Sequence, residues 1–282
     1  MMDTSTIKST NKQNAVVPTT SATYRFFTLM MKEMIEFIRN YKMIWVPLAF
    51  IAYGIMQPVV TYYLPFILDH AGNLPAGTVI EIPTPAAAEV LASTLQQYGI
   101  FAVIIIVLIT MGAISQERVS GIASIILAKP ISITTYVMSK WVAYVLLAWS
   151  SFLIGISITG YYTRLLFAPF DLSLFWSSVA LYSLWIVFIV SVTLVFSSIL
   201  RSSIAAAAAT LVLLGGLTLL SSLPLQYLHY IPSRLPTIAA QMLIGDAVDS
   251  RQLLIIVVIT LLVLVGLIRF AIVKLRKSAA LD

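Results

Sequence analysis

The chain has 282 residues, of which 60% are hydrophobic and only 10% are charged, and its formal net charge is +6. Soluble domains carry about 25% charged residues, so the composition excludes an ordinary soluble protein and predicts an all-α polytopic membrane protein. The absence of cysteine excludes disulfides, thiol catalysis and cysteine-ligated metals.

Two elements precede the first membrane-length segment. Residues 1–22 are polar and rich in Ser and Thr, which predicts a disordered cytoplasmic tail and not a secretory signal peptide. Residues 23–42 predict an amphipathic helix with opposite charged and apolar faces. Because a span follows within a few residues, the membrane surface is favoured over another protein as its partner. The charged face carries Arg25, Lys32, Glu36 and Arg39, and the apolar face carries Phe27, Met30, Met31, Met34, Phe37 and Ile38.

Six segments are apolar enough to cross a bilayer as helices, which takes about 20 residues each. They are residues 43–66, 97–116, 136–162, 174–200, 203–223 and 252–273. The first contains Pro47, Pro58 and Pro65, so it is expected to be kinked, with neighbouring helices supplying partners for the freed carbonyls. The predicted membrane domain therefore covers residues 43–273, and residues 274–282 form a second cytoplasmic tail.

Lysine and arginine are distributed unevenly between the two sides of the predicted membrane domain. With the N-terminus in the cytoplasm, 14 of the 17 basic residues lie on the cytoplasmic side, and only Arg164, Arg234 and Arg251 lie outside. This excess predicts six spans with both termini in the cytoplasm. Lys140 and Arg269 lie near the cytoplasmic face and are expected to extend to the headgroups. No buried titratable group is expected, which argues against a proton-coupled transporter.

Two further segments have an unusual composition. The fifth span contains Ala205, Ala209, Gly215 and Gly216. Small residues let helices approach closely, so this face is expected to pack against another helix, in this chain or in a second one. Residues 224–251 are apolar yet interrupted by three prolines, which predicts short helices that dip back into the outer leaflet between the fifth and sixth spans.

The motifs of common catalytic and nucleotide-binding sites are absent from the sequence. There is no G-x-x-x-x-G-K-[ST] phosphate loop, no H-E-x-x-H and no G-x-S-x-G. The two histidines, His70 and His229, lie on separate outer segments with no carboxylate at ligand spacing, so no metal site is predicted. We therefore expect a non-catalytic chain without a cofactor, whose positive charge reflects topology and not nucleic-acid binding.

The stretch ISQERVSGIASIILAKPISITTY, residues 114–136, separates the second and third spans on the predicted cytoplasmic side. Isoleucines at helical spacing predict a short helix with one apolar face over residues 118–130. A connection between two helices needs only a few residues, so an apolar face on this loop indicates a docking surface for another protein. The residues assigned to this surface are Glu117, Arg118, Gly121, Ile122, Ile125, Ile126, Lys129 and Pro130.

This stretch resembles the membrane permease subunit of type-2 ABC transporters, most of which are exporters. The matching residues are Gln116-Glu117-Arg118-x-x-Gly121, then an apolar turn, then Ala128-Lys129-Pro130-Ile131-Ser132. The order of elements is also similar along nearly the whole chain. It includes an N-terminal elbow helix, six spans, and short outer helices between the fifth and sixth spans.

The resemblance implies a mechanism and a set of partners. Residues 118–130 would be the coupling helix, docked on a separate ATP-binding subunit that holds ATP and Mg²⁺. Two such subunits would serve two permease chains, identical or related, in contact through the first and fifth spans. The cargo of such an exporter would be a peptide, a drug-like or a lipid-like molecule, and a pathway without fixed charge also favours this class.

Two other functions were weighed against transport. A membrane sensor or scaffold could recruit a cytoplasmic ATPase through the same coupling helix without transporting anything. A membrane-embedded enzyme acting on lipid or peptide is disfavoured, because the sequence has no constellation of His, Cys and carboxylate residues that could catalyse such a reaction.

Overall fold

A computed structural model describes residues 21–70, 85–129, 131–223, 230–246 and 248–279. The described residues form helices joined by short connections, with no strand among them. In chain order the α-helices are α1 (Ala22–Arg39), α2 (Lys42–His70), α3 (Ala87–Thr110), α4 (Ser115–Val119), α5 (Ile122–Leu127), α6 (Ile133–Leu166), α7 (Leu172–Ile199), α8 (Ser203–Ser221), α9 (Leu235–Ile244) and α10 (Ser250–Ala279). Of the predicted tails at residues 1–22 and 274–282, residues 1–20 and 280–282 lie outside the described residues, whereas residues 274–279 continue α10.

The prediction of six membrane-length helices is confirmed. They cover Lys42–Leu68, Ala87–Val119, Ile133–Leu166, Leu172–Ile199, Ser203–Ser221 and Ser250–Lys277. The second begins about ten residues earlier than its predicted start at 97, because the segment AAEVLASTLQQ contains no helix breaker and continues directly into the apolar run. α7 lies at the centre of the bundle and has the largest buried share of the six, whereas α2, α8 and α10 lie at its periphery.

The helix α2 packs chiefly against α6, and glycines bring the two backbones close together. A Cβ atom on Gly155 would lie 2.8 Å from Cβ of Phe50, and one on Gly54 would lie 2.4 Å from Oγ1 of Thr159. Pro58 has no N–H, so it leaves the carbonyl of Gly54 without its helical partner. The Thr159 hydroxyl lies 3.0 Å from that carbonyl and also 3.0 Å from the carbonyl of Gly155 in its own helix, so its single proton is shared between the two acceptors. The expected rescue of a proline-freed carbonyl by a neighbouring helix is therefore observed at this position.

The segment between the fifth and sixth spans contains a short 3₁₀ turn, Pro232–Arg234, followed by α9. α9 packs against α3 and α7 through the buried side chains of Leu235, Ile238 and Ala239. It ends at Gly245, whose φ of +84° lies in the left-handed region that glycine adopts readily. Residues 224–229 lie outside the described residues, and the entry of this segment into a membrane leaflet stays a prediction.

The small residues of α8 do not all share one environment. Ala205 is exposed, Ala209 is half-buried, and a Cβ atom on Gly215 or Gly216 would meet no other atom within 4 Å. The buried face of α8 carries Ala206, Ala207, Thr210 and Leu214, which pack mainly against α7. Within this chain, Gly215 and Gly216 therefore do not mediate a close helix contact.

Candidate coupling site at the basic end of the bundle

One end of the bundle collects most of the basic residues. The chain alternates in direction through its six long helices. This end therefore contains the start of α2, the end of α3, the helices α4 and α5, the start of α6 and the turn between α7 and α8. We call it the basic end. α1 also lies here, because it packs along the start of α6.

The stretch between the second and third long helices forms two short helices and not one. α4 ends at Val119 and α5 begins at Ile122, with Gly121 between them at φ +75°. The predicted single helix over residues 118–130 is therefore wrong. A left-handed residue cannot continue a right-handed helix, so the chain turns at Gly121. We call residues 115–127 the coupling segment. Pro130 lies outside the described residues.

Glu117 of α4 is buried and lies within a cluster of charged side chains from three helices. Its Oε1 atom accepts from Lys32 of α1 and lies 3.0 Å from Nζ of Lys140 of α6. Its Oε2 atom accepts from the Tyr136 hydroxyl at 2.6 Å. Glu33 of α1 accepts from both lysines through Oε1, at 2.9 Å from Lys32 and 2.8 Å from Lys140. We call these five residues the charge cluster.

The positive and negative side chains of the charge cluster neutralise one another. Glu36 of α1 adds a third carboxylate, 3.4 Å from Lys32, and carboxylate oxygens of Glu33, Glu36 and Glu117 lie within 4.8 Å of one another. Because the two lysines occupy these oxygens, no metal ion is needed to hold the acids together. Burial alone would lower the pKa of Lys32, but the carboxylates of Glu33 and Glu117 raise it above its ordinary value. Lys32 is therefore charged at neutral pH.

Two expectations about these charges require correction, and one residue was missed. Lys140 does not extend to the membrane surface, since it is only 2% exposed and pairs with Glu33 and Glu117. Buried charged groups do exist, and among the described residues they are Glu33, Glu117 and Lys140, all at the basic end. Glu33, which is 2% exposed, was missed, because helical periodicity alone does not show which side of α1 faces the bundle.

The helix α1 has two apolar faces on either side of its charges. Phe37 is buried, and Met30 and Met34 pack against the core. The opposite face exposes Tyr24, Phe27, Met31, Ile35 and Ile38. Of the charged residues assigned to the surface, Arg39 is exposed, whereas Arg25 and Lys32 are half-buried. The outward apolar stripe is the part of α1 available to a membrane.

A third lysine ties the basic end of α2 to its neighbours. Nζ of Lys42 donates to the carbonyl of Ile109 at 3.1 Å, in the last turn of α3, where helical partners for carbonyls run out. The same ammonium lies 5.8 Å from the ring centroid of Phe37 and 5.5 Å from that of Tyr144. A cation over aromatic faces is stabilised electrostatically. The start of α2 is thus anchored to α1, α3 and α6.

The coupling segment exposes an apolar surface beside the charge cluster. Val119 is 69% exposed, Ile122 is 43% exposed and Ile125 is 67% exposed. Ile126 instead packs against the core, and Lys129 is exposed. Of the predicted docking residues, Ile122 and Ile125 are therefore accessible, and Val119 joins them. We call Val119, Ile122 and Ile125 the exposed apolar patch.

The six membrane-length helices define a multi-pass membrane protein. The model of the family described as "ABC-2 family transporter protein" matches residues 27–240. The chain belongs to this family and is a membrane permease subunit of an ABC transporter. This confirms the resemblance found in the sequence, and it implies association with an ATP-binding subunit.

A relative with a related sequence is the "Uncharacterized transmembrane protein YxlG" of Bacillus subtilis (strain 168). It is 38% identical over 180 residues, which cover 64% of this chain and 70% of that protein. The name of this relative carries no information on cargo or direction of transport.

Proposed function

We propose that this chain is one half of an ATP-driven exporter whose ATP-binding subunit docks on the exposed apolar patch. The observation that supports this is the position of Val119, Ile122 and Ile125, which are exposed directly beside the buried Glu117. Ile122 and Ile125 lie beyond the end of the second span, and Val119 is its last residue. Large apolar side chains grouped at the end of a span favour contact with another protein. In this proposal the basic end is cytoplasmic, in a bacterial plasma membrane, and both termini lie in the cytoplasm.

The charge cluster would convert docking into movement of whole helices. A subunit that pushes on α5 also displaces α4, and Glu117 is bound to Lys32 and Lys140. Separating these charges in a low-dielectric site would leave them unpaired, which costs about 3–5 kcal/mol for a buried pair. The coupling segment, α1 and the start of α6 would therefore move together. ATP and Mg²⁺ belong to the partner, and two such partners would act on two permease chains.

Ile125→Asp tests the docking surface. Because Ile125 is exposed, the change should leave the fold intact, and it should weaken binding of the ATP-binding subunit about 10- to 30-fold by placing a charge in an apolar contact. The measurement is the affinity of the purified ATP-binding subunit for the permease in lipid nanodiscs.

Ser124→Asp is the matched control, since it adds the same charge to the same helix at an exposed polar position, about 100° around the helix axis. Equal affinities for wild type and Ile125→Asp would show that the partner docks elsewhere.

A cavity of about 610 Å³ between α3, α7, α8 and α9 bears on the cargo. Its lining combines apolar side chains such as Ile100 and Leu214 with the uncharged polar groups of Gln96, Thr218 and Thr237, and it includes no charged residue. Such a surface favours an uncharged amphipathic molecule, since it offers hydrogen bonds and apolar area but no countercharge. We propose this class of cargo, which includes lipid-like and drug-like compounds and neutral peptides.

Gly215→Leu tests whether cargo uses this cavity. Gly215 lines the cavity and has open space around its Cβ position, so leucine fills the cavity without a clash. The measurement is the stimulation of ATP hydrolysis by a panel of uncharged amphipathic compounds. We expect the apparent affinity of these compounds, taken from the concentration that gives half of the full stimulation, to fall at least about tenfold.

Gly216→Leu is the control, because its Cβ position is equally open but it does not line the cavity. If the ATP-binding subunit docks normally and no compound stimulates hydrolysis even in wild type, the sensor or scaffold function would be favoured over transport.

The second permease chain, identical or related, would face α8 in this proposal. The exposed Ala205, which does not line the cavity, presents a small residue on the surface of that helix. Small residues favour close contact between membrane helices.

A further inference from the structure

The coupling segment has a second attachment, on the side of α4 that faces the turn between α7 and α8. Ser197 of α7 is fully buried, and its Oγ atom accepts from the backbone N–H of Ile114 at 3.0 Å and of Ser115 at 3.1 Å. Two backbone donors of one helix therefore depend on a side chain from another helix.

This contact compensates for a break in the chain. α3 ends at Thr110 and α4 begins at Ser115, so the helical hydrogen-bond ladder is interrupted between them. The N–H of Gln116 donates to the carbonyl of Gly112 at 3.2 Å, whereas the N–H groups of Ile114 and Ser115 donate to Ser197. The residue at the N-cap position is Ile114, which has no side-chain acceptor. A hydroxyl acceptor is what such a helix start normally obtains from its own N-cap residue. Ser197 takes over this role from α7.

Hydrogen bonds continue from α4 to the first turn of α8. Oγ of Ser115 lies 2.9 Å from Oγ of Ser203, the first residue of α8, and 3.4 Å from Oγ of Ser197. Ser115 also donates to the carbonyl of Met111 at 3.0 Å, so the proton of the contact with Ser203 comes from Ser203. Arg118 adds a charged donor, 2.8 Å from the carbonyl of Ser198. We call Ser115, Ser197 and Ser203 the serine link.

The helix reached by the serine link forms one wall of the cavity. Leu211, Leu214, Gly215 and Thr218 of α8 line it, two to four turns beyond Ser203. α8 is also a peripheral helix that packs mainly on α7. A displacement of its first turn can therefore reach the cavity wall without moving the centre of the bundle.

We propose that Ser115, Ser197 and Ser203 are positioning residues that transmit movement of the coupling segment to α8 and so to the cavity wall. This inference rests on the proposed function for the source of the movement. The serine link is built from neutral hydrogen bonds, which are individually weaker than the ion pairs of the charge cluster. The coupling segment thus has a strong attachment to α1 and α6 and a weaker, adjustable one to α8.

The first experiment needs the permease alone, in lipid nanodiscs, with amide hydrogen exchange as the readout. Ser197→Ala should raise exchange about five- to tenfold both at residues 115–119 and at residues 203–207, since it removes the acceptor that holds α4. Ser203→Ala should raise exchange at 203–207 and leave 115–119 unchanged. Ser197→Thr keeps the hydroxyl and should restore protection at both segments.

Ser178→Ala is the matched control. Ser178 lies on the same helix and is fully buried, and its hydroxyl has no hydrogen-bond partner among the residues that the structure describes. Its loss should change neither segment. If Ser197→Ala affects residues 115–119 but not 203–207, then Ser197 only caps α4, and the proposed transmission is wrong.

The second experiment adds the ATP-binding subunit with ATP and vanadate. In wild type, nucleotide should change exchange at residues 203–207. In Ser197→Ala the subunit should still dock and still change exchange in α1, but the change at 203–207 should be lost. An undiminished change at 203–207 in the docked Ser197→Ala complex would overturn the inference. Failure of the subunit to dock in wild type would instead count against the proposed function, while the first experiment still decides the serine link.

Discussion

Lys140→Met is expected to lower the free energy of unfolding by about 3–5 kcal/mol, the range observed when one partner of a buried ion pair is removed. Lys140 is fully enclosed and bridges Glu33 and Glu117. Methionine fills a similar volume, so the loss reflects charge and not a cavity. The two carboxylates would be left close together with Lys32 as their shared cation, and Oε2 of Glu33 already lacks a hydrogen-bond partner.

The measurement is the midpoint of unfolding by SDS in mixed micelles, with hydrogen exchange of α1 as a local readout. Lys129→Met serves as the control, because Lys129 is an exposed lysine on the same side of the bundle. Adding Glu33→Gln to Lys140→Met should recover part of the loss, since it removes one of the stranded charges. An unchanged midpoint for Lys140→Met would mean that the charge cluster does not hold α1 to the bundle.

The same variant should uncouple the transporter. With Lys140 absent, the coupling segment keeps its contact to Lys32 and the hydrogen bond from Tyr136 to Glu117, but it loses the ion pair that ties Glu117 to α6. We expect the ATP-binding subunit to dock with wild-type affinity, because the exposed apolar patch is untouched, while transport per ATP hydrolysed falls. This combination separates a transmission defect from a docking defect such as that of Ile125→Asp.

Gly155→Ala is expected to destabilise the bundle by about 1–3 kcal/mol, the usual cost of overpacking a well-filled core. Its new Cβ atom would lie 2.8 Å from Cβ and 2.9 Å from the backbone of Phe50. These atoms cannot yield without separating α2 from α6. The separation would also weaken the hydrogen bond from Thr159 to the carbonyl freed by Pro58.

The midpoint of SDS unfolding again measures the effect, with Gly266→Ala as the control. A Cβ atom on Gly266 meets no other atom within 4 Å, so alanine there should be neutral or stabilising through its higher helix propensity. Equal midpoints for the two variants would contradict the close approach of α2 and α6.

Several features of the site were accessible from the sequence alone. Glu117 and Arg118 stand out because charges directly follow a long apolar run, and the isoleucines after Gly121 recur at helical spacing. The prolines of the first span indicated a kink that needs help from a neighbour. Which neighbour supplies it was not predictable, because Thr159 lies about a hundred residues away and only tertiary packing brings it to Gly54.

The orientation of α1 shows why the other features of the site could not be predicted from the sequence. Periodicity distinguishes apolar from charged faces when one side of a helix meets water. In a membrane protein both lipid and protein interior are apolar, so Phe27 and Phe37 have the same signature although one is exposed and the other buried. Glu33 and Lys140 were therefore read as surface charges, or passed over, although both are buried in ion pairs.

The sequence by itself determined the class of protein, the number of spans and the location of the charged and apolar segment between the second and third spans. The class and the number of spans follow from hydropathy and from the length that a helix needs to cross a bilayer. The location of the segment follows from its charged residues, which are unfavourable inside the lipid. Tertiary structure alone decided how that segment is held, through ion pairs to α1 and α6 on one side and serine hydroxyls to α7 and α8 on the other. Such contacts join residues far apart in the chain, and their energies depend on burial and distance, which no local pattern encodes.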